Sequence, residues 1–465
     1  MKVFINNLDV LERAEYELGD LTVVCGKNNS GKTLAAYTLY GFLDYWRNQY
    51  DFQIGTSLIK EIKDKHELRI ARQQVQRLLA KNLEFAYKKY ITEYLPDVLG
   101  SSAERLADCN FYFGICLTHN QSLLLKRKTA HWIPSDGGWY TVKTDDEGKN
   151  VQIFQEEEPI PQDRLSDWVQ SLATLISPEI IPCAAVVSAD RIGAAMFSGE
   201  IYDLRNKLKQ QENSFPQPVH YPLPARKTLH TIYHSAQEHS PEKTELQILF
   251  NKLLDGNFEF CYNELRFMPF RTEKLPPTLA ETSSSFRSLL PFWLQLYCGT
   301  RLRETPVNMF MIDEPEMNLH PENQRILARF FVRLVNLGYK IYITTHSDYI
   351  VKELNTLIML YCHNKNRRRI MKRYGYTDEE LLDPARIRVY MTQQVSPLKI
   401  EKETKTEKET ETKIETEEEQ ITADSGIAKY IFVQAKIDEL GIYLPVFDDT
   451  INEMNIIQDE ILAGD

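Results

Sequence analysis

The sequence predicts an α/β fold built on a largely parallel sheet, carrying helical and β-rich insertions. Three observations lead there. An apolar segment, Leu21 to Cys25, passes through a glycine-rich loop into a helical stretch from Lys32 to about Trp46. Residues 307–361 alternate strand, helix, strand, helix and strand, as Val307–Ile312, Pro321–Asn336, Lys340–Thr344, Tyr349–Asn355 and Leu357–Tyr361. Between them lies an apolar run, Ile180–Val187, of the kind that forms a strand buried on both faces. Short buried strands alternating with helices imply parallel pairing, because a parallel neighbour can only be reached through a crossover connection.

Each remaining element follows from its own pattern. Val3 to Ile5 reads as a first strand. Residues 57–95 read as one or two long helices, with Ile59, Ile62, Val75, Leu78, Leu79, Leu83, Tyr87 and Ile91 on one face but no sustained heptads. Residues 109–155 read as β-structure, from the aromatic runs Asn110–Phe113 and Trp139–Val142 and the turn signals Asp136-Gly137-Gly138 and Glu147-Gly148. Residues 200–212 and 225–255 read as helical, separated by a connector holding Pro216, Pro218, Pro222 and Pro224. Strands at Phe258–Cys261 and Leu265–Phe267 precede a helix near Ser285–Leu296. Residues 401–420 contain 9 Glu, 4 Lys and 5 Thr, too little apolar surface to offset ordering entropy, so they read as an acidic linker. Apolar spacing resumes at Ile427.

Composition removes whole classes of function. The chain has 465 residues, 43% apolar and 26% charged, with a formal charge of −11, an ordinary globular balance. That overall sign opposes non-specific binding to nucleic acid, although a local basic patch can override it. The run Ile180–Val187 is far short of the roughly 20 residues of a membrane helix. The beginning, MKVFINNLDVL, lacks a charged lead and apolar core for secretion. Seven cysteines without a CxxC pair argue against a disulfide framework or zinc module and fit a reducing cytoplasm.

The chemistry concentrates at two strand ends. Gly26-Lys27-Asn28-Asn29-Ser30-Gly31-Lys32-Thr33 matches GxxxxGK[ST] after a strand and before a helix. Glycines let successive backbone N–H groups turn inward around phosphate oxygens, and the helix start adds its dipole. Lys32 is expected to reach the β- and γ-phosphates of ATP, and Thr33 to ligate Mg²⁺. The strand Val307–Ile312 ends in Asp313-Glu314, where Asp313 suits the Mg²⁺ role and Glu314 the base that polarises the attacking water. The strand Lys340–Thr344 ends in Thr345-His346-Ser347, and a histidine there can hydrogen-bond the γ-phosphate.

The runs Asp313-Glu314-Pro315-Glu316-Met317-Asn318-Leu319-His320-Pro321 and Ile343-Thr344-Thr345-His346-Ser347-Asp348 resemble the ABC-type ATPase heads of the overcoming-lysogenization-defect (OLD) group. They are most similar to the ATPases of bacterial anti-phage operons, such as the PARIS ATPase subunit and, more distantly, those of Septu and Gabija. The resemblance covers residues 1–40 and 257–360. It implies an ABC-type P-loop ATPase head with a mixed sheet, working with ATP and Mg²⁺ as a homodimer or larger homo-oligomer. It also implies a serine-bearing signature that contacts nucleotide on the opposite subunit. Ser283, Ser284 and Ser285, within Thr282–Ser288, stand in the expected place but lack the family's glycines. Asn318 occupies the position of the subunit-interface loop. The glutamine that senses Mg²⁺ in the family has no unique counterpart; Gln152, Gln155 and the corner Ser188–Arg191 are the candidates.

On this basis the chain divides into an N-terminal ATPase lobe (1–56), a helical insertion (57–100), a β-rich remainder of that lobe (101–199) and a second helical insertion (200–256). A C-terminal ATPase lobe (257–362), a basic helix and strand (363–400), the acidic linker (401–422) and a C-terminal extension (423–465) follow. OLD-type nucleases carry a toprim domain with a DxD pair, and no DxD follows His346. The leading expectation is therefore a cytoplasmic sensor or scaffold ATPase that controls a separately encoded effector. A RecF/SMC-like DNA-repair clamp and an OLD-type nuclease acting alone are the alternatives. His230, His234 and His239 read as exposed helix histidines rather than a metal site. Lys365, Arg367, Arg368, Arg369, Lys372 and Arg373 read as a solvated helix face, with a nucleic-acid or acidic-partner patch as the other reading.

Overall fold

Alternation along the central strands splits the core in two. The computed structural model describes residues 1–51, 53, 67–114, 129–132, 140–144, 150–155, 181–197, 200–201, 221–235, 250–251, 253–261, 264–270, 277–298, 307–363, 365–395 and 428–444. The first part of the chain forms β1 (Lys2–Leu8), β2 (Leu11–Glu17), β3 (Leu21–Cys25), α1 (Lys32–Asn48), β4 (Glu67–Ala71) and α2 (Arg72–Lys89). A π-helical turn, Tyr90–Tyr94, joins α2 to α3 (Leu95–Leu99), and β5 (Asn110–Gly114) follows. The middle contributes β6 (Thr129–Trp132), β7 (Tyr140–Thr144), β8 (Asn150–Gln155), β9 (Ala184–Val187), α4 (Leu223–Ser235), β10 (Gly256–Cys261) and β11 (Glu264–Pro269). The last part holds α5 (Ser284–Cys298), β12 (Met309–Asp313), α6 (Pro321–Asn336), β13 (Lys340–Thr345), α7 (Asp348–Cys362), α8 (Arg367–Tyr374), β14 (Ile387–Gln394) and β15 (Tyr430–Gln434). A small ribbon of β16 (Lys436–Asp438) and β17 (Gly441–Tyr443) comes last.

Nine strands make one mixed sheet in the order β5-β1-β2-β15-β14-β3-β13-β12-β9. Its centre is parallel: β14, β3, β13, β12 and β9 run the same way. The hairpin β1–β2, with β5 beside it, is antiparallel, and β15 turns back against β14 to meet β2. Successive residues of a strand face opposite sides. Val24, Met309, Met311, Tyr342 and Tyr390 therefore pack on one face with α1, α2 and α3. Leu21, Val23, Phe310, Ile312, Ile341 and Ile343 pack on the other with α5, α6 and α7. Helices on both faces of a parallel core leave the strand ends as the open surface, and the carboxyl ends are where such sheets bind ligands.

Several expectations change. Within 57–95 the chain is not helical throughout: Glu67–Ala71 is a strand paired antiparallel with β8. Its ladder partner lies about 80 residues along the chain, so local helical propensity does not decide it. Leu357–Tyr361 is not a strand but the last part of α7. Buried Ile350, Val351, Leu354, Leu357 and Ile358 recur at helical spacing and seat α7 on the sheet. The strand expected over Ile180–Val187 begins only at Ala184. Strands β14 and β15, from segments expected to lie outside the ATPase lobes, are sheet members, and β14 pairs directly with β3. The helix expected over 200–212 is described only at 200–201, and most of the proline connector and the linker 401–422 lie outside the described residues.

Candidate functional site

The parallel register brings five strand ends to one edge. Cys25 pairs with Thr345 on one side and Met391 on the other, Thr344 with Asp313, and Ile312 with Val187. The loops that leave these ends carry Gly26–Thr33, His346, Glu314, Ser188–Arg191 and Thr392.

The glycine-rich loop is built by backbone geometry. Gly26 has φ 145° and Gly31 φ 89°, with Asn29 at 58° between them, conformations that turn N–H groups inward. At Gly26 a Cβ atom would lie 1.9 Å from Thr392 Oγ1, so only glycine fits against β14. Thr392 also hydrogen-bonds Ser30 Oγ at 2.7 Å, tying the loop to that strand. Lys27, Asn28 and Asn29 are exposed, while Ser30 and Lys32 are buried. The Lys32 ammonium donates to the carbonyls of Gly26 (3.1 Å) and Lys27 (2.7 Å), which holds the loop curled. Burial lowers the Lys32 pKa, and the charges of Glu314 and Asp313 oppose that change.

Asp313 collects the hydroxyls around it. Thr33 Oγ1 donates to its Oδ1 at 3.1 Å, and Thr344 Oγ1 donates to the same oxygen. Its Oδ2 is buried with no hydrogen bond of good geometry, although the Tyr37 hydroxyl acts on the carboxylate from nearby. Burial pushes the Asp313 carboxyl up from the usual carboxylate range, and the neighbouring Glu314 charge adds to this. A half-satisfied buried carboxylate beside a threonine hydroxyl fits Mg²⁺. That ion takes one or two protein oxygens and completes its octahedron with phosphate and water. Among the described residues no group of three His, Cys, Asp or Glu forms a protein-only metal cage, and Mg²⁺ held against phosphate needs none.

Glu314 adopts φ 48°, a left-handed conformation costing about 1–3 kcal/mol for a residue with a side chain. Its N–H is shared between the carbonyl and hydroxyl of Thr344, both at 3.1 Å. Its carboxylate lies 3.2 Å from His346 Nε2. That hydrogen bond holds the Glu314 carboxyl below its usual range. Glu316 supports the histidine from beneath: its Oε1 accepts from Thr345 Oγ1 (2.8 Å) and from the His346 backbone N–H (2.6 Å). The sequence displayed Glu316 but assigned it nothing, and Thr344 and Thr392 likewise escaped notice.

The corner after β9 sits beside these groups and contains no glutamine, whereas Gln152 and Gln155 lie on β8 in a separate sheet of order β4-β8-β7-β6. What the corner supplies is Arg191, whose guanidinium hydrogen-bonds carbonyls of Asp313 and Glu314.

The serine run starts α5, with Ser283 Oγ 2.8 Å from Ser285 Oγ. Arg287 fixes the preceding turn by donating to the carbonyls of Leu279, Ala280 and Thr282. Among the described residues no hydrogen bond or ion pair joins the serine run to 26–33 of the same chain. Asn318, exposed and left-handed at φ 61°, forms the corner between Glu314 and α6. Away from the site, the rings of His230 and His234 lie 4.1 Å apart on α4, and His239 is outside the described residues. In the basic cluster Lys365, Arg368, Arg369, Lys372 and Arg373 are exposed, Arg367 is partly so, and none makes an ion pair among the described residues. No helix of the described residues is long and apolar enough to cross a membrane.

Comparison with known proteins gives a partial family match. No curated protein matches the sequence. Among solved structures, an SMC head bound to the C-winged helix domain of ScpA aligns at TM-score 0.31 and 11% identity, covering 76% of this chain and 90% of that one. An SMC head domain from Thermotoga maritima aligns at 0.28 and 9%, with the same coverages of 76% and 90%. An SMC head with an extended coiled coil, bound to a ScpA C-terminal domain derived from Pyrococcus furiosus, aligns at 0.29 and 10%, again over 76% and 90%. The AAA ATPase domain family model matches residues 197–351, which hold the serine run, Asp313, Glu314 and His346. That third of the chain is thus similar to an ATPase domain, and the glycine-rich loop 26–33 lies outside the matched residues.

Proposed function

We propose that this chain is an ABC-type ATPase that hydrolyses ATP between two subunits and thereby controls a separately encoded effector, a nuclease or toxin, in anti-phage defence. One observation carries the hydrolytic part. The glycine-rich loop, the Thr33–Asp313 pair and the Glu314–His346 pair open side by side at the carboxyl ends of three neighbouring parallel strands.

In this reading the Lys32 ammonium exchanges its two loop carbonyls for phosphate oxygens, and the inward N–H groups of 26–33 hold the same phosphates. Thr33, with Asp313 behind it, would hold Mg²⁺, which would supply charge neutralisation at the phosphates. Glu314 accepts the proton of the attacking water, and its lowered pKa keeps it ionised for that task. His346 fixes the carboxylate and donates toward the γ-phosphate. Ser283, Ser284 and Ser285 contribute to the partner's nucleotide. Defence, effector control and a cytoplasmic setting rest on the resemblance of residues 313–321 and 343–348 and on the cysteine pattern.

The test is hydrolysis by the purified chain with and without Mg²⁺. Magnesium-dependent turnover that Glu314→Gln removes, with ATP still bound, supports the reading, and a wild-type chain that does not turn ATP over refutes it. Co-purification with a neighbouring gene's product tests the effector. The unpaired cations of α8 favour one other reading, a DNA-binding clamp, which stimulation of turnover by duplex DNA would support.

A further inference from the structure

Arg191 is 1% exposed, and its guanidinium is satisfied by four backbone carbonyls rather than by a carboxylate. Nε donates to Ser288 O at 2.8 Å; one terminal nitrogen donates to Ser188 O at 3.3 Å and Asp313 O at 2.8 Å; the other donates to Glu314 O at 2.6 Å. These acceptors belong to three separate pieces of the fold: helix α5 with the serine run, the strand end carrying Asp313 and Glu314, and the corner after β9. We propose that Arg191 is a positioning residue that couples the serine-run helix to the backbone of Glu314, so that contact with the partner's nucleotide and placement of the base are set together. The proposal rests on the ATPase reading above and deepens it.

The geometry explains why an arginine is used. A guanidinium is planar and rigid, with donors fixed in a fork, so a shift of one acceptor tilts the plane and moves the donors offered to the others. Glu314 is sensitive to such a shift. Its left-handed backbone is clamped by Thr344 at the N–H and by Arg191 at the carbonyl, and release of either allows the residue to relax and swing its carboxylate. At the other end, Ser288 lies one turn into α5 and its hydroxyl donates to Ser285 O at 2.7 Å. A phosphate gripped by Ser283–Ser285 therefore bears on the turn whose carbonyl Arg191 holds. Full burial of a guanidinium is costly for a side chain that serves packing alone, even with the charges of Asp313, Glu316 and Glu314 acting on it from nearby. Holding three loops in register accounts for it.

The test uses Arg191→Met, Arg191→Lys and Ser285→Trp in the full chain, with turnover, ATP binding and melting temperature measured for each. Lysine keeps the charge, but its shorter chain ends in a single nitrogen that cannot reach both sides of the fork. A misplacement of about 1 Å at a reacting group costs on the order of 10²-fold in rate. We expect Arg191→Lys to fold and bind ATP like wild type, melting lower because some of the four carbonyls lose their donor, with kcat reduced by about that factor. Arg191→Met combined with Ser285→Trp should lose no more turnover than the worse single variant, because both break one linkage. Wild-type kcat in Arg191→Lys, or additive losses in the double variant, overturns the proposal. Should Arg191→Met not fold, Arg191→Lys with Ser285→Trp decides in the same way. Absence of turnover in the wild-type chain would instead remove the ATPase reading itself.

Discussion

His346 Nε2 lies 3.2 Å from the Glu314 carboxylate, although 32 residues separate the two in sequence. This contact is the main cause of the lowered Glu314 pKa. A base works only when ionised, so a depressed pKa extends activity toward acid. Replacing His346 with Ala removes the stabilising partner and lets the Glu314 pKa rise. The acid limb of the kcat profile should then move to higher pH, and a profile that stays in place would remove His346 from that role.

Lys32 and Glu314 separate binding from chemistry. Lys32→Ala should abolish productive ATP binding, since it removes the loop's buried cation and the carbonyl bonds that keep it curled. Glu314→Gln should bind ATP yet turn it over roughly 10²–10⁴-fold more slowly, the usual range for loss of a positioned general base. Nucleotide binding by fluorescence and phosphate release together distinguish the two outcomes. Equal turnover in Glu314→Gln and wild type would exclude Glu314 as the base.

Gly26 faces Thr392 across 366 residues of sequence. Gly26→Ala should cost about 1–3 kcal/mol from the positive φ alone, with the Thr392 clash in addition. Adding Thr392→Ala should recover part of the loss. Recovery is incomplete because Thr392 Cβ and N also lie 3.0 and 3.1 Å from the new methyl. Denaturant midpoints of the single and double variants measure this, and a neutral Gly26→Ala would contradict the close approach.

The sequence holds one GxxxxGK[ST] loop, and the resemblance places the serine run on a partner's nucleotide. A symmetric pair closes two such sites across an isologous interface. Glu314→Gln with ATP should be the most associated state by sedimentation. Lys32→Ala mixed with a bulky Ser284 variant should regain one working site per heterodimer. A monomer at micromolar concentration, with no recovery on mixing, would end the shared-site reading.

Removal of 401–420 should leave folding and turnover intact. Gln394 pairs with Tyr430, and Val395 N donates to Lys429 O at 2.9 Å, so the chain ends flanking this stretch already meet. Shortening a loop of this length changes closure entropy by only about 0.6 kcal/mol per halving. A large fall in melting temperature on deletion would show that the excised residues contribute packing.

The sequence by itself determined the parallel core and the chemistry at its strand ends. Those features are local: a strand, a glycine-rich turn and a helix start within a dozen residues, or an apolar strand closed by Asp313-Glu314, leave a pattern that needs no distant partner. The failures were non-local. Glu67–Ala71 reads as helix because its ladder partner is β8, and Leu357–Tyr361 reads as a strand because five residues cannot separate a period of 2 from one of 3.6. Only the tertiary structure brought β14 against β3, which explains why Gly26 must be glycine, and set Glu316 beneath His346. The same holds for Arg191, an arginine in a short corner whose four acceptors are spread over a hundred and more residues. A guanidinium's partners are carbonyls, which every residue carries, so no spacing of residue types could have revealed them.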